Sequence, residues 1–270
     1  MTARRAAVLG SPIRHSRSPQ LHLAAYRALG LTGWSYERIE CTAEQLPGVV
    51  GSAGPEWVGF SVTMPGKFAA LAFADERTDR AERVGSANTL VRRDGGWLAD
   101  NTDIDGVKGA LGGVPGAAGR AAMVVGAGGT APAAVVGLVE LGVEEIVVAA
   151  RNPDKAAPLV ELATGLGATA RWCDLTGGGL AEAVAGVQAV VSTIPADAAA
   201  GYAPALAAAP VLLDVIYDPW PTPLAGAVRA AGGRVIDGLE MLLHQAFTQV
   251  ELFTGLPAPK EAMRAALRAP

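Results

Sequence analysis

Lys67 stands where a purely structural role gains little from it. A strand pattern over residues 57–63 is stopped by Pro65 and Gly66, and the lysine follows at the head of an apolar segment, residues 68–73. A cation at a helix start opposes the macrodipole. A lysine at a strand end, partly desolvated, can instead move a proton at neutral pH, the alternative being a solvated surface lysine. Two more polar clusters, Asn88-Thr89 and Asn101-Thr102-Asp103, fall where strands meet turns. Asn, Asp and Thr often do no more than cap turns and helices. In an open α/β sheet, however, side chains at the carboxyl ends of strands gather around a ligand. Ser16 and Ser18 precede an apolar-faced helix expected from about residue 20 to 29, with Pro19 in its first turn. They are either caps or hydroxyl donors to a small carboxylate.

A different chemistry is written halfway along the chain. The buried-strand pattern Met123-Val124-Val125 breaks into Gly126-Ala127-Gly128-Gly129-Thr130-Ala131 and then an Ala-rich helix. Glycines permit a tight turn, and the free N–H groups and positive end of the following helix attract a phosphate. The run fits G-x-G-x-x-G with alanine at the last place, a dinucleotide site or an ordinary strand-to-helix turn. The next strand ends in Ala149-Ala150-Arg151-Asn152, not in the acid that holds ribose hydroxyls in NAD sites. Arg151, with Lys155 one helical turn on, can hold a 2′-phosphate or form a solvated face, and the missing acid favours NADP. Thr193-Ile194-Pro195 is a sharp strand exit suited to backbone contacts with the nicotinamide side, and Asp214-Val215-Ile216-Tyr217 repeats it one strand later. Tyr217 is either a core aromatic or a polar handle facing a cleft. Gln245 lies on the apolar face of a helix expected over residues 238–255 and needs partners if buried.

The elements that must position these groups alternate. Strand patterns at residues 5–10, 35–39 and 57–63 precede the glycine turn; those at 145–150, 169–173, 189–193, 211–215 and 234–236 follow it, separated by helical segments. That rhythm predicts a doubly wound parallel sheet in the second half. At 270 residues the chain is long enough for two domains, and a full domain precedes the glycine turn. A formal net charge of -4 argues against a general nucleic-acid or anionic-membrane binder. Cys41 and Cys173 are far apart with no ligand-like residue near either, which suggests neither a disulfide framework nor a zinc site and fits a reducing compartment. The apolar run after Arg4-Arg5 is too short for a signal peptide and nothing approaches a membrane span, so a cytoplasmic protein is expected.

Taken together, the motifs resemble those of the shikimate dehydrogenase family. The matching stretches are residues 10–22 with Ser16 and Ser18, residues 59–67 ending in Lys67, Gly85-Ser86-Ala87-Asn88-Thr89-Leu90, residues 101–106, the turn from Gly126 to Ala131, residues 214–219, and residues 237–246 with Gln245. They run in the family's order over nearly the whole chain. The resemblance implies an α/β, two-domain fold: an N-terminal α/β substrate domain, residues 1–103 completed by 238–270, and a Rossmann-like doubly wound NADP domain, residues 104–237. Ser16 and Ser18 would hold the shikimate carboxylate, Thr63, Asn88, Asp103 and Gln245 would contact ring hydroxyls, and Tyr217 would lie beside the substrate. Lys67 and Asp103 would form the catalytic pair, the lysine transferring the proton and the aspartate orienting it and binding substrate. The cofactor would meet Gly126, Ala127, Gly128, Gly129, Thr130, Ala131, Arg151, Asn152, Lys155, Thr193, Ile194, Pro195, Val215, Gly238 and Met241. No metal is needed, because alcohol oxidation requires only an acceptor for the proton and one for the hydride.

The expected activity is reversible NADPH-dependent reduction of 3-dehydroshikimate to shikimate in aromatic amino acid biosynthesis, by a monomer or homodimer that binds neither nucleic acid nor membrane. The alternatives are a quinate/shikimate dehydrogenase using NAD and a non-catalytic dinucleotide-binding sensor. Methylenetetrahydrofolate dehydrogenase shares a two-domain plan but leaves the paired serines unexplained. Four positions depart from the family's pattern: Ser61 stands where Asn is commoner, Gly66 replaces a bulky residue, Glu240 occupies a usual glycine, and Ala150 stands where Asn is frequent.

Overall fold

A computed structural model describes residues 3–117 and 119–268. The chain runs β1 (Arg4–Gly10), α1 (Ser18–Ala28), β2 (Trp34–Glu40), α2 (Leu46–Gly51), β3 (Trp57–Val62), α3 (Lys67–Phe73), β4 (Glu76–Arg77), α4 (Asp79–Val84), β5 (Thr89–Arg93) and β6 (Gly96–Asp100). It continues through α5 (Asp103–Leu111), β7 (Ala121–Val125), α6 (Ala131–Glu140), β8 (Glu145–Ala150), α7 (Pro153–Gly165), β9 (Thr169–Asp174), α8 (Leu180–Ala185) and β10 (Ala189–Ser192). Then come α9 (Ala196–Ala200), α10 (Ala203–Leu206), β11 (Val211–Asp214), α11 (Pro223–Ala230), β12 (Arg234–Ile236), α12 (Gly238–Thr254) and α13 (Lys260–Arg268). Two compact units result: residues 1–102 with 242–270, and residues 103–241. Among the described residues no helix is long and apolar enough to cross a membrane.

The first unit holds a mixed six-stranded sheet ordered β2-β1-β3-β5-β6-β4. β1 pairs in parallel with β2 and β3, whereas β5 is antiparallel to both β3 and β6. Because β5 runs the other way, its first residue lies at the same edge as the last residues of β3 and β6: Ser61 pairs with Thr89, and Thr89 with Asp100. One sheet face is covered by an apolar cluster with Phe60, Val62, Leu90 and Trp97. The other carries Val8, Tyr26, Tyr36 and Phe253, and α1, α12 and α13 share Leu21, Leu243, Phe247, Val250 and Met263.

The second unit holds six strands, all parallel, ordered β12-β11-β10-β7-β8-β9. This is the doubly wound order, and its four inner strands, β11, β10, β7 and β8, are buried on both faces because helices cover both, while the edge strand β9 exposes Thr169, Arg171 and Trp172. Val124, Ile146, Val148 and Val191 face one cluster; Met123, Val147, Val190 and Leu212 face the other. The order reverses between β7 and β10, the place where such sheets open a crevice beyond their carboxyl ends.

Candidate active site

In the first unit the polar side chains converge at one sheet edge. Thr63 leaves β3 with its amide donating to Leu9 O at 2.8 Å, and Ser11 N donates to Met64 O at 3.0 Å, so the loops after β1 and β3 are tied together. Lys67, half-buried, is the first residue of α3, and its carbonyl accepts from Ala87 N at 3.0 Å. That bond ties the lysine's helix to the segment that enters β5. Gly66 leaves room that a bulkier residue would not have, since an added Cβ would lie 2.9 Å from Val62 Cγ1.

Ser16 lies in the loop between β1 and α1, and Ser18 is the first residue of α1. Neither caps the helix: the helix opens at Ser18 itself, two residues ahead of the expected start, and its N-cap position is Arg17 without a side-chain cap bond. Ser16 Oγ instead accepts from Ser18 N at 3.3 Å and donates to Ser18 Oγ at 3.2 Å. β2 straps this loop down, with Glu40 accepting from Ser11 Oγ and Ile13 N, and Arg38 donating to Ser16 O at 2.8 and 2.6 Å. The guanidinium thereby adds a positive charge behind hydroxyls suited to a carboxylate.

Asn88 and Gln245 are buried at the same edge, 3% and 6% exposed. Asn88 Nδ2 donates to Thr102 Oγ1 at 3.0 Å and lies 3.4 Å from Gln245 Oε1, while Asn88 Oδ1 accepts from Thr102 N at 2.8 Å and Thr89 Oγ1 at 2.8 Å. Gln245 Nε2 donates to Leu242 O at 2.7 Å. The neighbouring end of β6 is braced by charge. Burial by itself would push the Asp100 carboxyl up, but the hydrogen bond and charge of Arg80, with Thr78 Oγ1 and the Asn101 amide, bring it below its ordinary range. Asn101 Nδ2 donates to Ser86 O at 2.9 Å, locking the two Asn-Thr segments together.

In the second unit, Asp103 is a buried residue opening α5. Gly126 follows β7 with φ +109°, open to glycine at no steric cost, and an added Cβ would lie 2.6 Å from Ile194 Cγ2 and 2.7 Å from Thr193 Oγ1. The glycine turn and the β10 exit are therefore packed together at the sheet's reversal point, and Thr193 Oγ1 donates to Val125 O at 2.9 Å. Ala127, Gly129 and Thr130 are half-buried, Gly128 is exposed, and α6 begins at the buried Ala131. Arg151, Asn152 and Lys155 are exposed beyond β8; Asn152 caps α7 by accepting from Asp154 N at 2.8 Å. The carbonyl of Ala150 accepts from Trp172 Nε1 at 2.9 Å. Pro195 is exposed, and Tyr217 is half-buried in the segment after β11. Gly238 opens α12 directly against Val215, where an added Cβ would lie 2.2 Å from the Val215 carbonyl oxygen. Met241 packs into the core of this unit, with Val215 against the same cluster. Asp237 caps α12 through Oδ1, which accepts from Leu239 N and Glu240 N. Among the described residues no group of His, Cys, Asp and Glu could hold a metal ion.

Three contributors escape a reading of motifs alone: Gln249, Tyr36 and Arg38; Ser61 stands out in the sequence only as a departure from the family's pattern. Gln249 carried one signal, its place one helical turn after Gln245 on a face that is otherwise apolar. The glycine cradle and the exposed cations beyond β8 fit a 2′-phosphorylated dinucleotide: backbone room for the pyrophosphate and two cations for the extra charge.

Known proteins resemble this chain in sequence and in overall fold. The family model for the shikimate dehydrogenase substrate binding domain matches residues 8–90, and that for the shikimate 5'-dehydrogenase C-terminal domain matches residues 238–268. A shikimate dehydrogenase (NADP(+)) from Methylobacterium radiotolerans is 40% identical over 95% of this chain and 93% of its own length. The crystal structure of Mycobacterium tuberculosis shikimate dehydrogenase is 71% identical with a TM-score of 0.94, covering 99% of this chain and 100% of that one. A Thermus thermophilus shikimate 5-dehydrogenase, solved in complex with NADP(H) and shikimate, is 32% identical with a TM-score of 0.83 over 98% of each chain. Such similarity along the full length shows that the chain belongs to the shikimate dehydrogenase family.

Proposed function

We propose that the protein is an NADP-dependent shikimate dehydrogenase that reduces 3-dehydroshikimate to shikimate, reversibly. The observation that carries this reading is the 40% identity, spanning 93% of the relative's length, to a protein named shikimate dehydrogenase (NADP(+)). Ser16 and Ser18 bind the substrate carboxylate, backed by Arg38; Thr63, Asn88 and Gln245 take ring oxygens, and Tyr217 lies beside the ring. Lys67 removes the proton from the ring hydroxyl during oxidation and returns it during reduction, while Asp103 binds and orients the substrate. The residues that hold NADP are the turn from Gly126 to Ala131, Arg151, Asn152 and Lys155 at the 2′-phosphate side, and Thr193, Ile194, Pro195, Val215, Gly238 and Met241 at the nicotinamide side. When bound, the nicotinamide exchanges the hydride. Asn152 meets the cofactor through its remaining amide group, since its Oδ1 is engaged in capping α7.

Two buried, free cysteines and the reaction class support a cytoplasmic enzyme, a monomer or homodimer acting on small molecules. Four initial rates at 340 nm test the reading: shikimate and quinate, each with NADP and NAD. Turnover of shikimate with NADP should exceed the other three. Faster turnover with NAD would replace the cofactor assignment, and no turnover with any pair would replace the dehydrogenase reading with that of a non-catalytic binder.

A further inference from the structure

Gln245, Gln249 and Phe253 lie four residues apart on α12 and form one stripe along the helix. The stripe runs against the direction of β3. Phe253 covers Gly59, where an added Cβ would lie 2.2 Å from its Cε1, and Gln249 reaches Ser61. One helical turn of four residues rises about 6 Å and two strand residues about 6.6 Å, so helix and strand stay in step. The same step carries Gln245 to the level of Thr63.

The middle rung has a defined polarity. Ser61 Oγ accepts from Tyr36 OH at 2.6 Å, so its own proton goes to Gln249 Oε1 at 2.7 Å. With its oxygen committed, Gln249 turns Nε2 the other way, donating to Thr89 Oγ1 at 2.8 Å and Asn88 O at 3.2 Å. Thr89 Oγ1, having accepted, donates to Asn88 Oδ1. Asn88 Oδ1 also accepts from Thr102 N, which leaves Nδ2 as the end of the amide turned toward Gln245. Reversing any one amide would set donor against donor or acceptor against acceptor in a buried network, a costly arrangement. Gln249 and Thr89 are 1% and 0% exposed, so water cannot repair it.

We propose that Gln249 is a positioning residue: through Ser61 and Tyr36 on one side and Thr89 on the other, it fixes Asn88 so that a hydrogen-bond donor is presented to a substrate ring oxygen. This inference rests on the proposed shikimate dehydrogenase activity and concerns substrate recognition within it. The test compares wild type, Gln249→Met and Ser61→Ala by initial rates and by calorimetric Kd for shikimate. Gln249→Met should raise the shikimate KM and Kd tenfold or more with the NADP KM unchanged within twofold. Ser61→Ala, which removes a single hydroxyl and keeps the packing, should move the same two constants in the same direction by threefold or more. Unchanged shikimate constants, or shikimate and NADP constants rising in step, would overturn the proposal, the second pattern marking a general loosening. If Gln249→Met fails to fold, Ser61→Ala decides alone. Failure of the dehydrogenase reading shows separately, as wild type that binds shikimate without turning it over; the Kd series then still decides the role of Gln249. Wild type that binds no shikimate would overturn both.

Discussion

His22 sets a stability limit on the acid side. The imidazole is fully buried, stacked on Tyr36 at 4.0 Å between ring centroids with planes 13° apart, and near Tyr26 and Phe253. Burial lowers its pKa from 6.5 to about 3, a weak approach of the Gln249 side chain that falls short of hydrogen-bond geometry working the other way. Tyr26 and Tyr36 are both raised by burial, so neither phenol titrates between pH 5 and 7. The folded pKa is below the unfolded one, so between them the unfolded chain binds more protons. Stability from neutral His22 is therefore complete above the unfolded value of 6.5 and is lost as pH falls from there toward about 3. At about 1.4 kcal/mol per pH unit, the loss between pH 7 and pH 5 is about 2 kcal/mol. His22→Phe keeps a flat ring against Tyr36 and removes the titration. Urea denaturation at pH 7 and pH 5, followed by tryptophan fluorescence, should show the pH-dependent loss shrinking by about 2 kcal/mol in the variant. His15 and His244 are common to both proteins and cancel in the comparison. An equal loss in the two proteins, within roughly 0.5 kcal/mol of extrapolation error, would refute the reasoning.

Other substitutions separate the remaining roles. Lys67→Ala should lower kcat by roughly 10²–10⁴-fold, the usual range for loss of a general acid–base group, with the Kd for NADP held within threefold; near-normal kcat would remove Lys67 from the chemistry. Arg151→Ser should weaken NADPH by about 1.5–3 kcal/mol, the worth of a hydrogen bond to a charged group, and leave NADH unchanged; equal weakening of both would show that Arg151 does not read the 2′-phosphate. Gly238→Ala drives a Cβ to 2.2 Å from a backbone oxygen that cannot move aside. We expect a lower Tm together with a raised KM for NADP, and an unchanged Tm would contradict the packing. Arg80→Met leaves the buried Asp100 carboxylate without its cation and should cost roughly 3 kcal/mol in urea denaturation. The partner substitution Asp100→Asn in the same background should recover part of that loss.

Much of the fold is legible in the order of the residues. The parallel sheet of the second unit announces itself because its inner strands β7, β8, β10 and β11 are short apolar runs separated by helical segments, a local pattern that a single segment carries. The reactive residue types also declare themselves, since Lys67, Asn88, Asp103 and the Gly126 turn sit at breaks between such patterns, where packing does not ask for them. Helix ends are less legible: Ser18 lies inside α1 because Pro19 tolerates a first-turn position and the helix has no side-chain cap to mark its start.

What the chain could not declare locally was the company each residue keeps. The reversed direction of β5 brings Asn88 to the edge that Thr63 leaves, and no periodicity reports a strand's neighbours. The relay from Tyr36 through Ser61 and Gln249 to Thr89 joins groups 25, 188 and 160 residues apart, and the burial of His22 depends on rings contributed by α1, β2 and α12. Residue type and spacing determined which groups could perform the chemistry and which local element each would occupy. Hydrogen-bond polarity and desolvation were decided only by tertiary packing, because both depend on atoms distant in sequence that meet when the sheet and α12 close on one another.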